Sequence, residues 1–346
     1  MGAKKDRSNR KYIYGVLFFA VLLVITFFML FDDKDMFSML PQIMSANTVY
    51  VALGFLFMFG YICCEAVNIY ILNSSLHERP KFAHCLKYAF VGFYFSSITP
   101  SSSGGQPAQI YYMKRDGIKI GHSTVNFLLM LMSLQIVTLI FALISLVGNG
   151  MFVFSNMDGI WPLFVYGIIF YTVMIFVIVC AVFYSALLKK IVKALVTFLA
   201  AIKIIKNKEE ALKRADESIE SYIISAVYIK KNPHLLVKTL GVSTVQVLLQ
   251  FSVPYLVYRA FGQDVYSYFD IFSLQTILTI CVSALPLPGA VGASEGTFMK
   301  MFFVIFGSEL VLPATLLNRG ISFYVYLIIS GIVSAYAHYK AMKKQS

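Results

Sequence analysis

Two long apolar stretches of this chain break in the middle, where a helix lying in lipid has no means of repairing the gap alone. The first, residues 82–113, is interrupted by Ser96-Ser97-Ile98-Thr99-Pro100-Ser101-Ser102-Ser103-Gly104-Gly105-Gln106-Pro107. The second, residues 271–306, is interrupted by Pro286-Leu287-Pro288-Gly289-Ala290-Val291-Gly292-Ala293-Ser294-Glu295-Gly296. A broken helix leaves backbone N–H and C=O groups that only protein or a wet cavity can satisfy at membrane depth. A pair of Gly/Pro-interrupted segments in corresponding halves of a membrane protein is a pointer to a transport site.

The membrane setting rests on composition. Of 346 residues, 59% are hydrophobic and 13% charged, and the mean hydropathy is +0.75. That excess of apolar surface excludes a soluble globular fold and points to an all-α polytopic membrane protein. Residues 12–31 form an apolar run of about 20 residues, enough to cross the hydrocarbon core, and no small-residue cleavage site follows it. Cys63, Cys64, Cys85, Cys180 and Cys281 all lie in apolar segments without ligand spacing, so they read as small hydrophobes. Neither a metal nor a cofactor is expected.

The net charge of +12 reflects placement, not a nucleic-acid surface. Five clusters hold 25 of the 29 Lys and Arg residues, in segments 4–11, 79–87, 114–119, 189–238 and 340–344. Basic residues mark the cytoplasmic side and hold anionic headgroups there. From a cytoplasmic N-terminus, residues 12–31 cross outward and 48–72 return. The first broken segment has basic flanks at both ends, and its arms run about 14 and 7 residues, so it is expected to be a re-entrant hairpin. Residues 122–147 then cross outward, and 161–188 return behind Trp161, which stands where an aromatic-belt residue would.

Segment 189–233 reads as cytoplasmic. Its first part has the amphipathicity of a surface-lying helix over 191–206; its second carries the i,i+4 pairs Glu209–Lys213 and Glu210–Arg214, as in a solvated helix. Residues 235–261 cross outward. The second broken segment, flanked by Asp264, Asp270 and Glu309, has both ends outside, and a last span within 311–339 returns the C-terminus to the cytoplasm. The expectation is one membrane domain over 1–346 with six full crossings and two hairpins entering from opposite faces. Repeat 1 covers about 12–147 and repeat 2 about 161–339, the second inverted.

Ionisable residues at membrane depth are costly, by at least ~2.5 kcal/mol at the bilayer centre, and are functional candidates by default. Glu65, Glu295, Lys300 and Arg319 qualify. Arg319 is either half of a structural pair with Glu65 or Glu295, or a phosphate ligand through its planar fork. Glu65 and Glu295 are proton carriers or neutral hydrogen-bonding groups, with Glu65 and Lys300 the candidates for coupling or gating. The first break, with Thr99, Ser101, Ser102, Ser103, Gly104, Gly105, Gln106 and Gln109, offers hydroxyls, amides and a helix N-terminus suited to an anion. Its small residues equally suit a tight helix crossing. Gly292-Ala293-Ser294-Glu295-Gly296 fits the nucleophile-elbow pattern, but that motif needs a strand before it and a helix after. No catalytic residue is expected here.

Both breaks resemble the signature of a known family. Gly104-Gly105-Gln106-Pro107-Ala108-Gln109-Ile110-Tyr111-Tyr112-Met113-Lys114-Arg115-Asp116-Gly117 after Thr99-Pro100, and the second break from Pro286 to Gly296, are similar to the lysylphosphatidylglycerol synthase transmembrane (flippase-like) family. The resemblance covers nearly the whole chain. Many relatives carry an acidic residue where Gln106 stands and an arginine where Gln109 stands, which implies a different headgroup preference here if those are lost partners.

The best-known relatives fuse such a membrane domain to a cytosolic synthetase. This chain matches the first part only; its longest cytoplasmic segment is under 50 residues, too short for an acyltransferase fold. The resemblance therefore implies a lipid translocase of the bacterial plasma membrane acting on an anionic or aminoacylated phospholipid or a glycolipid. A membrane component of aminoacyl-phosphatidylglycerol synthesis, working with a separate synthetase protein, is the alternative. A transporter of a small soluble anion is a third. Headgroup and oligomeric state stay open.

Overall fold

The computed structural model describes residues 41–78, 80–184, 189, 194, 197 and 208–343. Every regular element among them is helical. The expected span over 12–31, and nearly all of the expected surface helix over 191–206, lie outside the described residues.

Five stretches are long and apolar enough to cross a membrane: Thr48–Ser75, Ile120–Ser155, Trp161–Val182, Pro233–Ala260 and Phe303–Lys340. They coincide with the five expected crossings downstream of residue 40. The first, α1 (Thr48–Ser75), starts at Asn47, whose side chain accepts from Val49 N at 2.9 Å and caps an otherwise unpaired donor. The first broken segment is α2 (Phe82–Ser97), a short 3₁₀ turn (Pro100–Ser102) and α3 (Gly105–Arg115). Then come α4 (Ile120–Ser155), α5 (Trp161–Phe183) and α6 (Lys208–Lys231).

Helix α6 is not solvated all round. Ile219, Tyr222, Ala226 and Ile229 recur at helical spacing as a buried stripe, and the helix packs on α4. Helix α7 (Pro233–Phe251) begins with proline at its first position, where a missing N–H costs nothing, and continues into α8 (Val253–Ala260).

The second broken segment repeats the pattern. Helix α9 (Tyr268–Ser283) opens on a capping box between Ser267 and Asp270, and a 3₁₀ turn (Pro288–Ala290) leads to α10 (Ala293–Met301). The arms of the two segments are 16 and 11, then 16 and 9 residues long, all shorter than the ~20 a spanning helix needs. Gly307, at φ 64° and ψ −179°, redirects the chain inside α11 (Phe303–Arg319), a conformation open almost only to glycine. A π-turn (Gly320–Tyr324) joins α11 to α12 (Val325–Lys343).

Two hydrophobic cores form, each wrapped around one broken segment. One gathers Tyr88, Ala89 and Val91 of α2 with Tyr112 and Met113 of α3, the C-terminal part of α1, and Tyr222 of α6. The other gathers Ile271 to Val282 of α9 with Phe298 and Met301 of α10, Met157, and Val257 of α8. Contacts between halves are reciprocal: α12 packs on α2, α4 packs on α9, and α1 packs on α7. The two 3₁₀ turns touch each other where the cores meet.

Candidate functional site

The meeting point of the two breaks encloses a polar cavity of about 260 Å3. The first break supplies Ser96, Ser97, Ser101 and Ser102 to its wall, and the second Gly289, Ala290 and Ser294. Helices α7 and α9 add Gln250, Gln275, Thr279 and Ser283; the end of α11 and the π-turn add Asn318, Arg319, Ser322 and Phe323.

Arg319 and Glu295 form the charged centre of one wall. Arg319 Nε donates to Glu295 Oε1 at 2.7 Å, and Nη2 donates to the Gly289 carbonyl at 3.0 Å. Tyr324 donates its hydroxyl to the same Glu295 oxygen at 3.1 Å, and Gly292 N donates to Oε2 at 2.7 Å. Glu295 is 1% exposed and the Arg319 side chain 12%. The guanidinium lies 4.3 Å from the Phe323 ring centroid, a cation–π contact that the π-turn makes possible by bringing the ring back over it. Of the two readings open for Arg319, the pair with Glu295 forms. Glu295 also caps α10, so the chain's own carboxylate takes the place of an external anion there.

The first break is braced by its own groups as well. Thr99 donates Oγ1 to Phe95 O at 2.5 Å and accepts from Gly104 N at 2.8 Å, which caps the start of α3. Gln109 is 2% exposed and donates Nε2 both to Glu65 Oε1 at 2.6 Å and to Tyr88 O at 3.1 Å. The amide thus ties α3 to α1 and α2, and Gly92 makes room for it: a Cβ there would stand 2.1 Å from Gln109 Nε2.

The expected site residues therefore divide. Ser101, Ser102 and Arg319 line the cavity, and Glu295 stands directly behind Arg319. Thr99, Ser103, Gly104, Gly105, Gln106, Gln109 and Glu65 shape or brace the first break without lining it. Lys300 is exposed and borders a separate cavity of about 550 Å3 with Asn156 and Asp158. Sequence reasoning passed over Gln250, Gln275, Thr279, Ser283 and Asn318. Their signal was weak: polar residues one helical turn apart (Gln275 and Thr279) inside an apolar run.

A further cavity of about 910 Å3 opens beside α2, α3 and α12. Its lining is apolar at Leu86, Phe90, Val333 and Ala337, and cationic at Lys87, Arg115 and Lys340. Lys87 also pairs with Asp116, which accepts a hydrogen bond from Tyr88 at 2.7 Å.

A UPF0104 membrane protein of Archaeoglobus fulgidus is 30% identical to this chain over 78 residues, covering 22% of the chain and 24% of that protein. The matched stretch thus spans about a quarter of the relative's length. The family model described as the lysylphosphatidylglycerol synthase TM region matches residues 12–330, which take in both breaks and the cavity between them. The chain is a multi-pass membrane protein belonging to the lysylphosphatidylglycerol synthase TM region family.

Proposed function

We propose that this chain is a lipid translocase of the bacterial plasma membrane, with cytoplasmic termini and two inverted halves that rock about the cavity. The observation that carries the reading is the contact, tip to tip, of two half-length hairpins around a small polar cavity. Hairpins entering from opposite faces meet in this way, and the reciprocal packing of α12 on α2 and of α4 on α9 is what an inverted repeat produces. Irregular backbone at membrane depth is tolerated where it lines such a cavity.

At about 260 Å3 the cavity suits a headgroup and not a whole phospholipid, so the tails stay in the bilayer while the headgroup crosses. Arg319 donates Nε to Glu295 and Nη2 to the Gly289 carbonyl, and the five donors of a guanidinium give it capacity to meet a phosphate oxygen as well. The larger cavity beside the first hairpin, apolar within and cationic at Lys87, Arg115 and Lys340, suits a lipid awaiting transfer.

The test is translocation of a fluorescent phospholipid in proteoliposomes, comparing the wild type with the double variant Arg319→Ala/Glu295→Gln. The double change removes both charges and leaves neither buried alone. Loss of translocation with an intact fold is expected; an unchanged rate would sink the site assignment.

A further inference from the structure

Glu295 and Glu65 both stand at membrane depth, and they are held differently. Glu295 meets Arg319, whereas Glu65 takes its hydrogen bond from the Gln109 amide at 2.6 Å. A carboxyl in lipid is costly as an anion, and taking up a proton removes the charge. Tyr61 lies one helical turn from Glu65 on the same face of α1 and lines the central cavity. The groups around these two side chains are uncharged: Cys64 of α1, Gln109 of α3, the Tyr88 carbonyl of α2, Gln246 of α7 and Tyr171 of α5. Helices α4 and α8 and the π-turn also pack on α1, and among the described residues they bring no charged side chain to the pair.

A polar seam leads away from Glu65. Asn68 follows it on the same face of α1, and on α7 Thr239, Ser243, Gln246 and Gln250 recur along one stripe. The two helices pack antiparallel: Gly60 of α1 meets Leu249 of α7, and Asn68 Nδ2 donates to Ser243 Oγ at 3.3 Å. One end of the stripe, Gln250, stands in the cavity wall; the other, Thr239, lies within two turns of the start of α7 at Pro233. Asn68, Thr239, Ser243 and Gln246 are at most 1% exposed. Yet Asn68 Oδ1 and both amide atoms of Gln246 have no partner of hydrogen-bonding geometry among the described residues. Buried polar atoms of this kind are ordinarily met by ordered water. The stripe is ~16 Å long, so its oxygens form a line and do not ring one point as a metal cation requires.

We propose that Glu65 is a proton-binding site, reached from the cytoplasmic face through water along this seam and open to the central cavity past Tyr61. A proton arriving along the seam converts the Glu65 carboxylate to the acid, and the reverse step returns it to water in the cavity. The acid accepts more weakly from Gln109 than the carboxylate does, so loading the proton loosens the tie between α3 and α1. Proton movement is thereby coupled to movement of the first hairpin. The coupling rests on the proposed translocation; the proton site does not, and it is measurable without transport.

The purified protein is followed by infrared difference spectroscopy as pH is stepped, which reads carboxyl protonation directly. A carboxyl band that Glu65→Gln removes is expected. Its shift on transfer to deuterated water should be at least about tenfold slower in Gln246→Leu and in Asn68→Leu than in the wild type. Thermal melts check that each variant is folded, and Gln246→Met, close to glutamine in volume, replaces a leucine variant that is not. Absence of a Glu65-dependent band, or unaltered exchange in the folded seam variants, overturns the proposal. In proteoliposomes, an imposed pH gradient should change the rate of tagged-phospholipid translocation in the wild type and not in Glu65→Gln. A sodium gradient that acts where the pH gradient does not overturns the coupling to protons. A Glu65 band without translocation under either gradient refutes the translocase and leaves the proton site standing. Translocation without any Glu65 band does the reverse.

Discussion

At the scale of single residues, the Arg319–Glu295 pair dominates because both groups are charged and little exposed, Glu295 at 1% and the Arg319 side chain at 12%. Removing one partner strands the other, which costs about 3–5 kcal/mol, while replacing both is far milder. Arg319→Ala is therefore expected to lower the unfolding temperature in detergent much more than the double variant Arg319→Ala/Glu295→Gln, with translocation lost in both. Equal destabilisation by the two would mean that the pair is not coupled. A second residue-scale prediction concerns Asp116, outside the spans. Burial alone would raise its carboxyl, but hydrogen bonds from Lys87 and Tyr88 outweigh this and hold it below the usual carboxylate range. A depressed folded-state value contributes stability above the unfolded-state value, near 3.9, and loses it as pH falls through the folded one. Asp116→Asn should therefore cost about 1.5–3 kcal/mol at neutral pH, with the gap to wild type closing in thermal melts as pH falls below the unfolded-state value and through the lowered folded-state one. A gap that does not change with pH would contradict it. Glu295 and Arg319 were legible as candidates from the cost of charge in lipid. Their pairing was one of the readings left open; the choice of Glu295 over Glu65 was not legible, since 24 positions separate the two and the π-turn sets the approach.

The elements are decided largely by where helices stop. Pro100, Pro107, Pro286 and Pro288 announce the breaks in the chain itself, because each lacks an N–H and clashes with a preceding turn. How sharply the chain turns depends on glycine. Gly289 has φ 59°, its carbonyl accepts from Arg319, and a Cβ there would stand 2.3 Å from the Phe323 ring. Gly289→Ala is expected to pry the second tip from Phe323 and Ser97 and cut translocation severely. Gly307, by contrast, faces open space, so Gly307→Ala tests backbone strain alone, at about 1–3 kcal/mol in melts. If Gly289→Ala transports normally, tip contact does not matter to function. Arm lengths of about 14 and 7 were read for the first hairpin against the observed 16 and 11. The difference arises because Ser96 and Ser97 continue the first helix, while the second starts earlier, at Gly105, and runs on through Lys114 and Arg115; Ser97 is satisfied by its own helix and Ser96 lines the cavity.

For the molecule as a whole, the separation of charge makes a prediction about sidedness. With the native cysteines replaced, Lys119→Cys and Lys231→Cys should react with an impermeant thiol reagent only from the cytoplasm. Asp158→Cys and Gln263→Cys should react only from outside. Labelling of Asp158→Cys and Lys119→Cys from one face would refute the inverted arrangement. Apolar run length, proline and glycine positions and the distribution of lysine and arginine were enough to determine a polytopic helical protein, five of its spans and both breaks. These are local properties: each depends on a short window of chain and on its transfer between water and lipid. Which polar side chains share the cavity was decided only by the tertiary structure. Gln250, Thr279 and Asn318 belong to three helices, and whether each faces lipid, core or cavity depends on the rotational phase its helix adopts against neighbours far away in the chain. Hydropathy scarcely constrains that phase, since in a membrane both faces of a helix are apolar. Packing of the two cores around the hairpins settles it instead.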